Sequence, residues 1–229
     1  MVKKWSVSYP AVNGVEQRRV YVYLPTMYEA DPERRYPVLY MFDGQNVFFD
    51  ADATYGKSWG VADYLDYTDT PLIVEEVVPK IQYIAKERNG WDGLPGVIAF
   101  GCSLGATHAV NLYLRFPYLF DGCLALSGIY TAKYGFGDYM DEVVYQNSPV
   151  DYMANFPTDH PYMDLYRSRK AVICCGQGAW EQPDTTRQLK QIFEQKGIPV
   201  WVDLWGYDVK HDWDWWYQQA VYYMPYILG

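Results

Sequence analysis

The chain has 229 residues, half of them hydrophobic, and a formal net charge of −9. This composition excludes a disordered chain and predicts a single domain over 1–229. The acidic balance argues against nucleic acid or an anionic membrane as a partner, and no apolar run approaches the roughly 20 residues that span a bilayer. We therefore expect a soluble, cytoplasmic protein.

The first elements that the sequence predicts are strands. Residues 3–9 and 18–25 are β-like, and the second stretch alternates with period two, so the pair is typical of antiparallel edge strands. Residues 35–44 form a nearly continuous apolar run that ends at Asp43-Gly44. Such a run indicates a strand that is buried on both faces.

Strands and helices alternate through the rest of the chain. Further strands are predicted at 71–74, 96–103, 122–128, 170–178 and 199–206. Helices are predicted at 75–88 with a kink at Pro79, at 104–117, at 184–197 from an N-capping Asp184 to Gly197, and at 212–228. This order predicts an α/β protein with a mostly parallel sheet and helices on both faces, whose function lies at the carboxyl ends of the strands.

The four cysteines all lie in or beside apolar runs, at Cys102, Cys123, Cys174 and Cys175. None has the spacing of metal ligands. We expect free, buried thiols and neither a metal nor another cofactor.

The stretch FGCSLGATHA, residues 100–109, carries the strongest chemical signal. Ser103 lies between Gly101 and Gly105, at the end of a predicted strand and the start of a predicted helix. A serine in this G-x-S-x-G turn has a strained backbone, so the residues two positions away must be small. The arrangement favours Ser103 as a nucleophile over a plain structural turn.

A serine nucleophile needs a base, and the chain has three histidines. His108 is on the same predicted helix as Ser103 and favours a surface or packing role. His160 lies in a proline-flanked loop, where it caps a turn or borders the site. His211 follows a late strand and is the predicted general base.

The third group of such a site is a carboxylate that orients the histidine, and it lies between the serine and the histidine along the chain. Glu181 follows the strand at 170–178 and is the predicted acid. Asp184 is the alternative acid, and Asp151 and Asp208 are more distant candidates.

Two main-chain N–H groups are expected to hold the oxyanion of an acyl-transfer reaction. The N–H of Leu104 lies at the start of the helix that follows Ser103. The N–H of Gln45 follows Asp43-Gly44, where a glycine allows close approach, although a plain Asp-Gly turn explains the same residues.

Three segments together resemble the α/β-hydrolase fold: YPVLYMFDGQNVF, GCSLGATHAVNLYLRFPYLFDGCLALSG and GYDVKHDWDWW. More narrowly, they are similar to the putative esterase family, which includes esterase D, enterochelin esterase, feruloyl esterases and the antigen 85 mycolyltransferases. The resemblance covers roughly residues 15–228. It implies an α/β-hydrolase three-layer sandwich, nucleophile Ser103, base His211, an acid at or near Glu181, oxyanion amides at Leu104 and near Gln45, and no cofactor.

The sequence departs from this family near residues 72–76. The predicted strand 71–74 runs straight into a helical pattern, where relatives have a long stretch of loops. The segments before and after the join resemble different branches of the family. An internal deletion, or a natural or engineered chimera, explains both observations.

The sequence therefore predicts a serine carboxylester hydrolase that acts on a small-molecule ester through an acyl-enzyme. Two alternatives stay open. One is an acyltransferase of the same fold, which passes the acyl group to an alcohol other than water. The other, prompted by the join, is a weak or inactive hydrolase-fold protein that serves as a binding module.

Overall fold

The computed structural model describes residues 1–11, 14–26, 28–31, 38–62, 73–74 and 97–228. The chain divides into two compact units, Met1–Val97 and Ile98–Gly229. The single domain predicted for 1–229 stays a prediction. In the described ranges no helix has the length and apolar character needed to cross a membrane.

A three-stranded antiparallel sheet forms much of the first unit. Strands β1 (Val2–Ala11) and β2 (Gly14–Tyr23) pair along their whole length, which confirms the predicted antiparallel pair. On the other edge of β2 lies the short strand β4 (Ile73–Val74), part of the strand predicted at 71–74. Val7 and Val20 pack together beneath this sheet.

The first unit also contains strand β3 (Val38–Met41), within the stretch predicted as a buried strand. Leu39, Tyr40 and Met41 are all buried, which confirms that prediction for the residues described. After the strand, Asp43 has a left-handed backbone with φ 59°, and Gly44–Asn46 form one 3-10 turn.

Four parallel strands form the sheet of the second unit, side by side in the order β5-β6-β7-β8. They are β5 (Val97–Cys102), β6 (Gly122–Leu126), β7 (Lys170–Cys175) and β8 (Trp201–Leu204). Each lies inside a predicted strand. The residues of β5 and β6 are all buried, as their continuous apolar sequences indicate.

The strand register brings the carboxyl ends of these strands to one level. Cys102 pairs with Leu126, and Leu126 pairs with Cys174. Next along the sheet, Cys175 pairs with Leu204. Because the strands are parallel, the segments that follow them all leave the sheet at the same edge.

Three long helices of the second unit pack against its strands, and four short helices lie between them in sequence. In chain order they are α1 (Leu104–Arg115), α2 (Lys133–Phe136), α3 (Glu142–Gln146), α4 (Pro149–Asn155), α5 (Tyr162–Ser168), α6 (Pro183–Lys196) and α7 (Trp213–Leu228). Helix α1 packs on β6, α6 on β7, and α7 on both. The four short helices were not predicted, because four to seven residues are too few to show a helical period.

The prediction that Asp184 caps helix α6 is wrong. The N-cap residue is Gln182, and Pro183 takes the first helical position, where its missing N–H costs nothing. Asp184 lies one residue further on, and its side chain pairs with Arg187 at 2.8 Å. The predicted end is confirmed, because Gly197 adopts the left-handed conformation with φ 65°.

Two other predictions remain: one concerns residues outside the described ranges, and the other concerns the four cysteines. The helix predicted at 75–88 lies outside the described residues, as does most of the join near 72–76. The four cysteines are free and buried, as predicted.

The turn from β5 into α1 depends on the absence of a side chain at Gly101. A Cβ atom there would lie 2.2 Å from the carbonyl carbon and oxygen of Gly105, and 2.8 Å from the nitrogen of Ala106. Both neighbours are backbone, so neither can move without shifting the helix. Ser103, which lies between Gly101 and Gly105, has φ 54° and ψ −122°, a conformation that side-chain-bearing residues rarely adopt.

We expect Gly101→Ala to lower the free energy of unfolding by at least about 1–3 kcal/mol, the usual cost of overpacking a rigid site. Urea denaturation measures the change. The control is Gly135→Ala in α2, where an added Cβ meets nothing within 4 Å and φ is not positive. That control should be neutral or stabilising by up to about 1 kcal/mol. Equal stability of the Gly101→Ala variant and the wild type would contradict the tight turn.

Candidate active site

Ser103 lies where β5 ends and α1 begins, and its backbone is held on both sides. Its N–H donates to the carbonyl of Leu126 at 2.9 Å, and its carbonyl accepts from the N–H groups of Ala106 and Thr107. The hydroxyl oxygen lies 2.9 Å from Nε2 of His211. The strained turn thus presents the serine hydroxyl to an imidazole.

His211 is carried by the loop between β8 and α7. Its N–H donates to the carbonyl of Ala179 at 3.1 Å, and its ring meets the Trp216 ring edge-on, with 4.7 Å between the centroids. Nδ1 lies 3.3 Å from Oε2 of Glu181. With its proton on Nδ1, the imidazole donates to the carboxylate and accepts from the serine hydroxyl at Nε2.

Glu181 reaches His211 from the loop that follows β7. Its side chain is completely buried, whereas that of His211 is 23% exposed. The preceding residue, Trp180, is exposed and has a left-handed backbone with φ 67°. This reversal of the chain, in which the N–H of Glu181 donates to the carbonyl of Gly178, turns the carboxylate inward.

Main-chain hydrogen bonds join the loop that carries Glu181 to the loop that carries His211. The N–H of Gln177 donates to the carbonyl of Gly206 at 3.2 Å, and the N–H of Gly178 donates to that of Val209 at 2.8 Å. The loops approach so closely that a Cβ on Gly176 or Gly178 would lie within 2.6 Å of the Val209 carbonyl oxygen. The two loops therefore fix the acid relative to the base.

Three donors face the buried carboxylate of Glu181. Besides His211, the hydroxyl of Ser127 donates to Oε1 at 2.7 Å and the thiol of Cys175 donates to Oε2 at 3.4 Å. Burial is the strongest single influence and by itself raises the pKa of the Glu181 carboxyl. The hydrogen bonds from His211, Ser127 and Cys175, together with the charge interaction with His211, outweigh burial and lower that pKa from its ordinary value of 4.5.

The other carboxylates named from the sequence lie apart from this cluster. The Asp184 side chain is 85% exposed and pairs with Arg187. Asp151 accepts hydrogen bonds from Thr131 and Ser148. Asp208 is exposed.

The two other histidines have different surroundings from His211. His108 is exposed on α1. Nδ1 of His160 accepts from the N–H of Tyr162 at 3.1 Å, which is the turn-capping role considered for it. Its ring packs against those of Phe156 and Tyr162.

The two predicted oxyanion donors belong to different units of the chain. Leu104 is the first residue of α1, so its N–H has no acceptor within the helix. Gln45 lies in the 3-10 turn after β3 in the first unit. Their joint action stays a prediction.

Three buried cysteines of the second unit are protonated thiols and not thiolates. Burial raises the pKa of the Cys175 thiol to about 12 and raises the pKa of Cys123 and Cys174 as well, so these thiols stay protonated at neutral pH. Within the part of the chain that the structure describes, no three His, Cys, Asp or Glu residues form a group that could hold a metal ion. The predicted lack of a cofactor stays a prediction.

Sequence reasoning missed two residues next to the cluster, Ser127 and Trp216. Ser127 follows β6 as Ser103 follows β5, and its φ of 57° is also positive. The signal in the sequence was a polar residue directly after a buried apolar strand. The sequence does not distinguish Trp216 from Trp213 and Trp215, which also lie in the first turn of α7.

Comparisons with known proteins agree with this architecture. Residues 15–62 match the Putative esterase family. A ferulic acid esterase structure superposes with a TM-score of 0.70 at 18% identity, covering 99% of this chain and 98% of the other. For the fluorophosphonate-binding serine hydrolase F of Staphylococcus aureus the TM-score is 0.68 at 12% identity, covering 100% and 99%.

An S-formylglutathione hydrolase from Agrobacterium tumefaciens gives a TM-score of 0.67 at 13% identity, covering 100% of this chain and 96% of the other. A search of curated protein sequences gave no match. The parallel sheet with its helices and these superpositions confirm the predicted α/β-hydrolase fold. The sequence match to the Putative esterase family is confined to residues 15–62.

Proposed function

We propose that the protein hydrolyses a small-molecule carboxylic ester with Ser103 as nucleophile, His211 as general base and Glu181 as the acid that orients the histidine. One observation carries the proposal. Ser103 Oγ, His211 and Glu181 form a continuous hydrogen-bonded row, with 2.9 Å between Oγ and Nε2 and 3.3 Å between Nδ1 and Oε2. Such a row activates a hydroxyl that is otherwise inert at neutral pH.

The reaction follows from the order of these groups. Ser103 Oγ bonds to the ester carbonyl carbon while its proton passes to Nε2 of His211. The imidazolium then gives that proton to the alkoxy oxygen, the bond between carbon and that oxygen breaks, and the alcohol leaves. Water repeats the steps on the acyl-enzyme, with its proton passing through His211, and releases the acid and free Ser103.

Charge is stabilised at both ends of the row during this reaction. The ionised carboxylate of Glu181 faces the imidazolium that forms on His211. At the other end, the N–H of Leu104 at the start of α1 is offered to the oxyanion. A donor of this type lowers the barrier by about 3 kcal/mol.

The first prediction concerns the nucleophile. A fluorophosphonate probe should label the folded wild-type protein at Ser103, and Ser103→Ala should abolish the labelling, because the probe reacts with an activated serine oxygen. Mass spectrometry of tryptic peptides locates the label. Folded wild-type protein that takes up no label at Ser103 would sink the proposal.

A histidine pair provides the matched control for this prediction. His211→Gln removes the base, whereas His108→Gln alters an exposed residue on the helix that begins directly after Ser103. Labelling should be lost in the first variant and retained in the second. Retained labelling in His211→Gln, with loss of labelling in His108→Gln, would show that His211 is not the base.

The second prediction tests the acid. Glu181→Ala should reduce kcat/KM for p-nitrophenyl acetate by about 10⁴-fold, the usual effect of losing the orienting carboxylate. Asp184→Ala should leave it unchanged, because that side chain is 85% exposed and pairs with Arg187. Steady-state kinetics at pH 7 distinguish the two residues. Full activity of Glu181→Ala would show that the acid is assigned to the wrong residue.

The third prediction concerns pH and stability. Because the pKa of Glu181 is lower in the folded protein than its ordinary 4.5, the ionised carboxylate stabilises the fold above that value. This contribution is lost as the pH falls through the folded pKa. The gap in unfolding free energy between the wild type and Glu181→Gln should therefore narrow as the pH falls below 4.5, as measured by urea denaturation at pH 7 and at about pH 3.

The control for the third prediction is Asp184→Asn, which changes an exposed carboxylate at the start of α6, close to Glu181 in sequence. Its stability difference from the wild type should be small at both pH values. A gap for Glu181→Gln that stays constant with pH would argue against an ionised, stabilising Glu181.

A further inference from the structure

A second row of hydrogen bonds reaches the Glu181 carboxylate through the hydroxyl of Ser127. The indole Nε1 of Trp216 donates to Oγ of Ser127 at 2.9 Å, and Oγ of Ser127 donates to Oε1 of Glu181 at 2.7 Å. Ser127 is 2% exposed and Trp216 is 5% exposed. The proposed catalytic mechanism assigns a task to neither residue.

The chemistry of the two groups fixes the direction of this row. An indole N–H only donates, so Trp216 fills an acceptor position of the Ser127 hydroxyl. The single hydroxyl proton is then directed to the carboxylate of Glu181. Oε1 is thereby held by Ser127, while Oε2 remains for His211 and the weak thiol donor Cys175.

The backbone of Ser127 is strained to make this contact. Its φ of 57° places a serine in the left-handed region, which glycine adopts without cost. Its N–H donates to the carbonyl of Cys174 at 2.7 Å, which anchors it beside the strand that leads to Glu181. Strain retained at a buried serine with a functional partner points to selection for the side chain.

Trp216 contacts the same cluster a second time. Its ring packs edge-on against that of His211, at 4.7 Å and an interplanar angle of 85°. One residue of α7 therefore touches the imidazole directly and the carboxylate through Ser127. Trp216 thus packs against the imidazole and donates to the hydroxyl that binds the carboxylate.

We propose that Ser127 and Trp216 are positioning residues of the active site, which hold the Glu181 carboxylate and the His211 imidazole in register with Ser103. The inference rests on the proposed ester hydrolysis and adds a second row to its mechanism. Neither residue touches the reacting atoms.

The experiment compares the rate of fluorophosphonate labelling and kcat/KM for p-nitrophenyl acetate in Ser127→Ala and Ser127→Gly. Both variants lack the hydroxyl, and we expect both to lose about tenfold to a hundredfold in each rate, the range for a hydrogen bond to a charged group. The glycine variant should have the higher melting temperature of the two, because glycine accepts a positive φ. Activity that follows stability, with the glycine variant active and the alanine variant impaired, overturns the inference.

Ser148→Ala is the matched control. Ser148 is also buried, and its hydroxyl also donates to a carboxylate, that of Asp151, away from the cluster. Its rates should equal those of the wild type. If the Ser127 variants also keep the wild-type rates, the inference fails while the proposed function stands.

Trp216→Phe tests the first bond of the row. Phenylalanine keeps a ring against His211 but lacks the N–H, so we expect a loss of about twofold to tenfold, as for a neutral hydrogen bond. Trp205→Phe is its control, because the indole N–H of Trp205 donates to the Tyr223 hydroxyl outside the cluster. Equal effects of the two substitutions would contradict a specific role for Trp216.

The pH profile separates positioning from general damage. The titratable groups facing Glu181, among the residues described, are His211 and Cys175, with Cys174 nearby. Loss of the Ser127 hydroxyl should raise the pKa of Glu181 and move the acidic limb of kcat/KM to higher pH, whereas Ser148→Ala should not move it. An unmoved limb in Ser127→Ala counts against the inference. Absence of label at Ser103 in the wild type would overturn the proposed function, and this inference with it.

Discussion

A carboxylate buried completely inside a protein must receive hydrogen bonds or lose its charge. Glu181 meets this requirement with donors from three different elements: a hydroxyl after β6, a thiol at the end of β7 and an imidazole after β8. The ends of three strands of the second unit therefore converge on one buried charge. Without an ionised Glu181, His211 would lack both its orientation and the partner for its positive form.

The parallel register makes this convergence geometrically simple. Four strands end at one level, so the residues that follow them meet at a single edge without long connections. Two of these residues, Ser103 and Ser127, are serines in a left-handed conformation directly after a buried strand. A serine with positive φ directly after a strand thus presents its hydroxyl to the imidazole in one case and to the carboxylate in the other.

Sequence reasoning predicted the strands and three long helices of the described ranges, because apolar runs are local signals. It also named Ser103, His211 and Glu181, whose side chains the structure brings together, while their catalytic roles stay a prediction. It erred at Asp184, where the proline before it takes the first helical position and shifts the cap to Gln182. It overlooked Ser127 and Trp216, which are 89 residues apart and meet only through the sheet register and the packing of α7. Such contacts leave no trace in a single sequence, and the short helices between β6 and β7 are too brief to show a period.

The main-chain hydrogen bonds between the Glu181 loop and the His211 loop determine which positions of these loops tolerate substitution. Main-chain carbonyl and amide groups join these two loops, so the loop structure depends little on the side chains that face solvent. Among those side chains, Trp180 is 87% exposed and Tyr207 is 80% exposed. Substitution at such positions leaves the backbone scaffold in place. These exposed positions can therefore be substituted while the main-chain hydrogen bonds keep the carboxylate and the imidazole in place.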